Sequence, residues 1–166
     1  MYGNLIGLYG MIRKALVHEV PEIKNLIEPF VKDGLMLPRS LHSIYTSVRD
    51  YWILTDDENH SSIHGCCALQ VCWVDIAEIR TLAVRKEYQK TGAGMSLVKA
   101  CIDEAVYLGV KQLFTLTYVP EFFKKAGFHE VDKSTLPNKI WADCIHCPYF
   151  PDCRETALLY EIGKDC

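Results

Sequence analysis

The sequence predicts an α/β domain, one β-sheet covered by helices on both of its faces. Two observations carry that prediction. Short apolar runs and helically spaced apolar stretches are interspersed along the whole chain, in the order β-α-α-β-β-β-α-β-α-β-β. No repeat, low-complexity tract or linker divides the 166 residues, of which 49% are hydrophobic and 23% charged, so one core is expected.

The elements follow in order. The apolar opening "MYGNLIGLYG" has neither a basic region nor a small-residue cleavage site, and is too short to span a bilayer. Residues 1–10 therefore read as an extension and residues 11–166 as the domain. "MIRKALV" alternates as a short strand, and "HEVPEIKNLIEPFV" is helically spaced with Pro21 near its first turn. "DGLMLPRS" is a loop, and Ser40 is placed to cap a second helix, "SLHSIYTSVRDY". "YWILT" and "SIHGCCALQVCW", joined by the polar "DDENHSS", read as an antiparallel hairpin, and "DIAEIRTLAV" as the next strand. "GAGMSLVKACIDEAVYLG" is a helix closed by Gly109. It is followed by the strand "KQLFTLT", the short helix "PEFFKKAG" and a last strand, "TALLYEI".

A net charge of −3 gives no basic field for nucleic acid or an anionic membrane. Eight cysteines without an export signal, in a domain this large, read as reduced thiols of a cytoplasmic protein.

The stretch "EYQKTGAGMSLV" places Gly92 and Gly94 just ahead of a helix, after a strand. Backbone amides from Gln89 to Gly94 would converge there with the positive end of the helix dipole, an anion site to which Lys90 adds charge. Side chains at the two glycines would obstruct a diphosphate. A plain glycine turn accounts for the loop equally well when it is taken alone. Its spacing is neither GxxxxGK[ST] nor GxGxxG, which argues against nucleoside triphosphates and NAD.

Gln89-Lys90-Thr91-Gly92-Ala93-Gly94 resembles the Q/R-x-x-G-x-G/A loop of the GCN5-related N-acetyltransferases (GNAT), which cradles the pyrophosphate of acetyl-CoA. "IAEIRTLAV" resembles that family's fourth strand, and "LFTLTYVPEFFKKAGF" its fifth strand and following helix, so the likeness runs from about residue 11 to 162. It implies a single GNAT-type domain with a mixed, mostly antiparallel sheet. "GLMLPRS", "AEIRTLAV", "FFKKAGFHEVD" and "LPNKIW" are also similar to the acetyltransferase domain of bacterial N-acetylglutamate synthases. The likeness is to a stand-alone short form, without the amino-acid-kinase domain of the long forms, which leaves arginine feedback open.

The resemblance implies acetyl-CoA as co-substrate, glutamate as acceptor in the first step of arginine biosynthesis, and direct attack of the amine on the thioester. On that reading Leu82, Ala83 and Val84 border the cofactor with Gln89, Lys90, Thr91, Gly92, Ala93 and Gly94. An amide at Leu82 polarises the carbonyl, and Glu78 is the general base, directly or through water. Where many members carry a tyrosine to protonate the leaving thiolate, this chain has Phe123, leaving water or a neighbour such as Tyr118. Arg39 with Ser40, Lys139 and Arg154 match basic acceptor-side positions, and Thr81, Thr117 and Thr156 match small polar ones. Arg80 is an additional arginine whose direction the sequence does not give.

"DCIHCPYFPDC" supplies Cys144, Cys147 and Cys153 with His146 nearby, one half of a double-CxxC zinc signature. His146 lies inside the CxxC pair, an awkward place for a ligand, so no metal ligand is assigned, and zinc, a redox pair and plain cysteines stay open. Cys66, Cys67 and Cys72 read as core. Two other functions stay open: an acyl-CoA-binding sensor without turnover, and an acetyltransferase for another small amine or a peptide N-terminus. A homodimer is also left open.

Overall fold

Strands of two to nine residues pair into one twisted sheet whose two faces each receive a helical layer. The computed structural model describes residues 5–7, 10–56, 62–136 and 154–163. The strands are β1 (Leu5–Gly7), β2 (Gly10–Lys14), β3 (Tyr51–Thr55), β4 (Ile63–Val71), β5 (Ile76–Val84), β6 (Gln112–Thr117), β7 (His129–Glu130) and β8 (Thr156–Glu161). The helices are α1 (Val20–Lys32), α2 (Leu41–Thr46), α3 (Ala93–Tyr107) and α4 (Pro120–Lys125). Sheet order is β1-β2-β3-β4-β5-β6-β8-β7, and among these pairs β5–β6 alone is parallel. The expected α/β sheet with helices on both faces is present, and β3 and β4 form the expected antiparallel pair. Of the first ten residues, Leu5–Gly7 pair antiparallel with β2.

Period-two alternation divides the strand residues between two apolar layers. On one face Ile12, Trp52, Leu54, Cys67, Leu69, Ala77 and Ile79 pack with Leu97, Val98 and Cys101 of α3. On the other, Tyr51, Ile53, Ile63, Cys66 and Ala68 pack with Ile23, Leu26 and Ile27 of α1 and Ile44 of α2. Cys66 and Cys67 lie in the core as expected, and Cys72 is half-buried beside a third cluster of Ile76, Phe114, Leu136 and Ala157. Burial pushes the Cys66 thiol up to about 12.

The second helix is shorter than its sequence suggests. Ser40 caps it by accepting from the Ser43 amide at 3.1 Å, as expected. It ends at Thr46 because the Thr46 and Ser47 hydroxyls donate back to carbonyls of the preceding turn, at 3.1 and 2.7 Å. A 3-10 turn, Val48–Asp50, then feeds β3.

Two departures from regularity shape the centre of the sheet. β5 and β6 pair only from Ile76↔Gln112 to Glu78↔Phe114, although both strands continue beyond, so the sheet splits there. On its other edge β5 bulges: Arg80 faces Ala68 and Ala83 faces Cys66, leaving Thr81 and Leu82 opposite Cys67.

Candidate active site

The split between β5 and β6 opens toward the C-terminal end of β5, and the bulge lies on its wall. Thr81 is β-branched yet has φ of +56°, a conformation that costs on the order of 1–3 kcal/mol and persists only where neighbours hold it. Its carbonyl accepts from the Cys66 thiol at 3.5 Å, and its side chain bonds the Tyr51 phenol. The extra residue reverses the alternation. Before it, Ala77 and Ile79 face α3; after it, Leu82 and Val84 do, while Ala83 turns to the α1 side. From Ile79 onward the β5 edge toward β6 has no sheet partner among the described residues, which leaves backbone groups available to a guest.

Val84 leads through Arg85 into a 3-10 turn, Lys86–Tyr88, and then the glycine loop. The loop is fastened at both ends. Gln89 Nε2 donates to the Val84 carbonyl at 2.9 Å, and Thr91 Oγ1 donates to the Tyr88 carbonyl at 2.6 Å. Tyr88 stacks on His64 with ring centres 4.1 Å apart, and its hydroxyl donates to Asp56 Oδ1 at 3.0 Å. His64 Nε2 lies 2.7 Å from Asp56 Oδ2. Lys90 and Gly92 are both left-handed, with φ of +62° and +96°, and Gly92 is the N-cap of α3. A glycine N-cap offers no side-chain acceptor of its own; the Ala93 amide is met by Thr91 Oγ1 at 3.4 Å, and the next amide of α3, that of Gly94, lacks an intrahelical acceptor. The two glycines have different reasons. Gly92 is required by its backbone, with open space around its missing Cβ. A Cβ on Gly94 would stand 3.3 Å from the Phe122 ring of α4.

A charged cluster lies on the other face of the sheet, the α1–α2 face. Glu78 and Arg80 are two apart on β5 and share that face, with Arg80 Nη1 4.0 Å from Glu78 Oε2. Both are largely enclosed, their side chains 16% and 11% exposed. Tyr51, Ala68 and Arg80 stand in one cross-strand row. Burial pushes the Tyr51 phenol above its ordinary value, against the pull of Thr81 and of the Arg39 and Arg80 guanidiniums, which both lie within electrostatic range. Burial also raises the Asp50 carboxyl, against the pull of Arg80 and Lys14. Arg39, half-buried in the loop before α2, and Arg80 are thus brought together with Glu78 and Thr81.

The remaining residues fall as follows. Thr117 pairs with Thr156 at the open end of β6, and its hydroxyl accepts from the Val119 amide at 3.0 Å. Arg154 is exposed and two residues ahead of Thr156, which places it at that same end. Tyr118 follows directly, whereas Phe123 is buried among Phe122 and Phe128. Lys139, Cys144, His146, Cys147 and Cys153 lie outside the described residues. Among the described residues no three His, Cys, Asp or Glu side chains are grouped to hold a metal ion, and no helix is long and apolar enough to cross a membrane. Sequence reasoning missed Tyr51 and Asp50 and left the direction of Arg80 open.

Comparison with known proteins bears on what this split is for. The family model described as an acetyltransferase (GNAT) domain matches residues 47–130, which include β3 to β6, the bulge and the glycine loop. The chain belongs to the GNAT acetyltransferase family. An N-acetyltransferase of Chlorobaculum tepidum without a described function is 34% identical over 148 residues, covering 89% of this chain and 94% of that one. The amino-acid acetyltransferase of Mycobacterium tuberculosis is 30% identical, covering 79% of this chain and 75% of its own length. Among solved structures, N-acetylglutamate synthase of Neisseria gonorrhoeae, complexed with coenzyme A and N-acetyl-glutamate, superposes with a TM-score of 0.82 at 28% identity. That match covers 92% of this chain and 35% of the synthase. The GNAT chain is an N-acetyltransferase, and its named relatives are of the amino-acid type.

Proposed function

We propose that the protein transfers the acetyl group of acetyl-CoA to the α-amino group of an amino acid, L-glutamate, the reaction that opens arginine biosynthesis. The observation that carries this reading is the division of labour about the end of β5: a left-handed glycine turn and a helix N-terminus follow it, and two arginines and a carboxylate stand on its α1–α2 face. The relatives named amino-acid acetyltransferase and the synthase with N-acetyl-glutamate support the choice of acceptor.

The chemistry is aminolysis of a thioester. The pyrophosphate rests on the loop between Lys90 and Gly94, the Gln89 amide being given to the Lys86 carbonyl at 3.2 Å and the Ala93 amide to Thr91 Oγ1 at 3.4 Å, with Lys90 beside it, and pantetheine runs along the unpaired edge of β5 past Ala83 and Val84. The Leu82 amide, held by the bulge, donates to the oxyanion that forms as the amine attacks. Glu78 takes the amine's proton, directly or through water, and the thiolate leaves with a proton from water or Tyr118. Arg39, with Ser40 at its side, and Arg154, Thr117 and Thr156 around the mouth receive the acceptor's carboxylates, a role the sequence also gives to Lys139.

The test is thiol release from acetyl-CoA with each of the common amino acids as acceptor. Glutamate is expected to be fastest, with glutamine distinctly slower for want of the second charge. Equal rates for glutamate and an uncharged amine would remove the dicarboxylate pocket, and absence of release with every acceptor would favour a sensor.

A further inference from the structure

We infer that Arg80 is the ligand of the acceptor's α-carboxylate and so the residue by which the site demands a free amino acid rather than an amine or an amide. The inference rests on the amino-acid acceptor reading and deepens it. Arg80 is the last residue of β5 before the bulge, so it stands where the strand stops being regular and the split opens. It faces the same side as Glu78 and lies in one row with Ala68 and Tyr51. Its side chain is 11% exposed, and its ion pair among the described residues is with Glu78 at 4.0 Å, too long for a hydrogen bond. Its buried Nε has no hydrogen-bond partner in the described structure. An enclosed guanidinium with an unsatisfied donor is unfavourable as it stands, and it favours an incoming anion with a matching two-pronged acceptor.

Chain geometry says which anion. The reacting amine has to come within reach of Glu78. In an α-amino acid the α-carboxylate is attached to the same carbon as that amine, so it arrives at a cation beside Glu78, and Arg80 is such a cation. A side-chain carboxylate is several bonds further away and falls to cations at the rim, Arg39 or Arg154. The two arginines near Tyr51 therefore read different ends of the acceptor.

The experiment compares kcat/KM for glutamate, its α-amide (isoglutamine) and its side-chain amide (glutamine), in the wild type and in Arg80→Ala. Ratios of kcat/KM do not depend on how much of a preparation is active. The wild type should prefer glutamate over isoglutamine. Arg80→Ala should lose that preference by roughly ten- to a hundredfold, keep the glutamate-to-glutamine ratio, and leave the KM for acetyl-CoA unchanged. Arg80→Gln, which retains bulk and hydrogen-bonding capacity, carries the comparison if the alanine variant does not fold. A variant that keeps the wild-type preference for the free acid over the α-amide overturns the proposal, as does one that loses the glutamine discrimination instead. If the wild type acetylates another amino acid in preference to glutamate, the glutamate reading fails. Arg80 is then tested with that amino acid and its α-amide.

Discussion

Glu78 and Arg80 show how much of the site a single strand discloses. Their spacing of two already puts both side chains on one face of an extended strand, so "EIR" contained the pairing of carboxylate and cation. Which face that is depends on the sheet, and where the alternation breaks depends on the bulge. Thr81 carries no signal for it, because a β-branched residue is among the least expected at φ of +56°. Tyr51 was invisible for a related reason: it belongs to the cluster only through pairing across β3, β4 and β5, and Asp50 precedes it on the 3-10 turn. The base assignment has its own test. Glu78→Gln keeps the shape and hydrogen-bonding reach of the side chain but not its capacity to accept a proton. It should lower kcat by roughly 10²–10⁴-fold with little change in the KM for acetyl-CoA, in a steady-state thiol-release assay. A kcat within a few-fold of the wild type would move the base elsewhere.

At the scale of elements, the strand–loop–helix unit from β5 to α3 was legible because its signals agree: an apolar strand, two glycines and an amphipathic helix closed by Gly109. The sequence left open whether those glycines serve a turn or a ligand, and the backbone divides them. Gly92 serves the turn. Gly94, with ordinary backbone angles, is held small by Phe122 on α4, and its amide is among those that α3 cannot satisfy internally. That contact ties the anion loop to an element almost thirty residues further on, which local spacing does not reveal. The shortened second helix escaped for a local reason, the back-bonding of Thr46 and Ser47. A carboxylate at Gly94 would bring negative charge and bulk to the first amides of α3. Gly94→Glu should therefore abolish measurable acetyl-CoA binding in titration calorimetry while circular dichroism shows a folded protein. Affinity equal to the wild type would leave the loop a turn and nothing more.

Across the whole molecule, two consecutive residues of β2 join the sheet to both helical layers. Arg13 and Lys14 point to opposite faces, as neighbours on a strand must. Lys14 Nζ meets Glu104 Oε2 of α3 at 2.6 Å, and the same oxygen accepts from Trp52 Nε1 at 2.6 Å. Arg13 forks onto both oxygens of Glu19, at 2.6 and 3.0 Å, just ahead of α1, and Glu19 Oε2 also accepts from the Leu16 amide at 2.8 Å. Burial alone would raise the Glu19 carboxyl, but the Arg13 hydrogen bonds, the Leu16 amide and the charges of Arg13 and His18 outweigh it, and its pKa is lowered. A carboxylate depressed in the folded state contributes stability that is complete above its unfolded pKa, about 4.3, and is lost as pH falls through the lower folded value. Urea unfolding of the wild type and Glu19→Gln should therefore differ by a constant amount above about pH 5, and the gap should close as the pH falls through the lowered folded value. A gap that stays constant down to that pH would mean that the Glu19 carboxylate is not held ionised by Arg13, and that its part in docking α1 is steric.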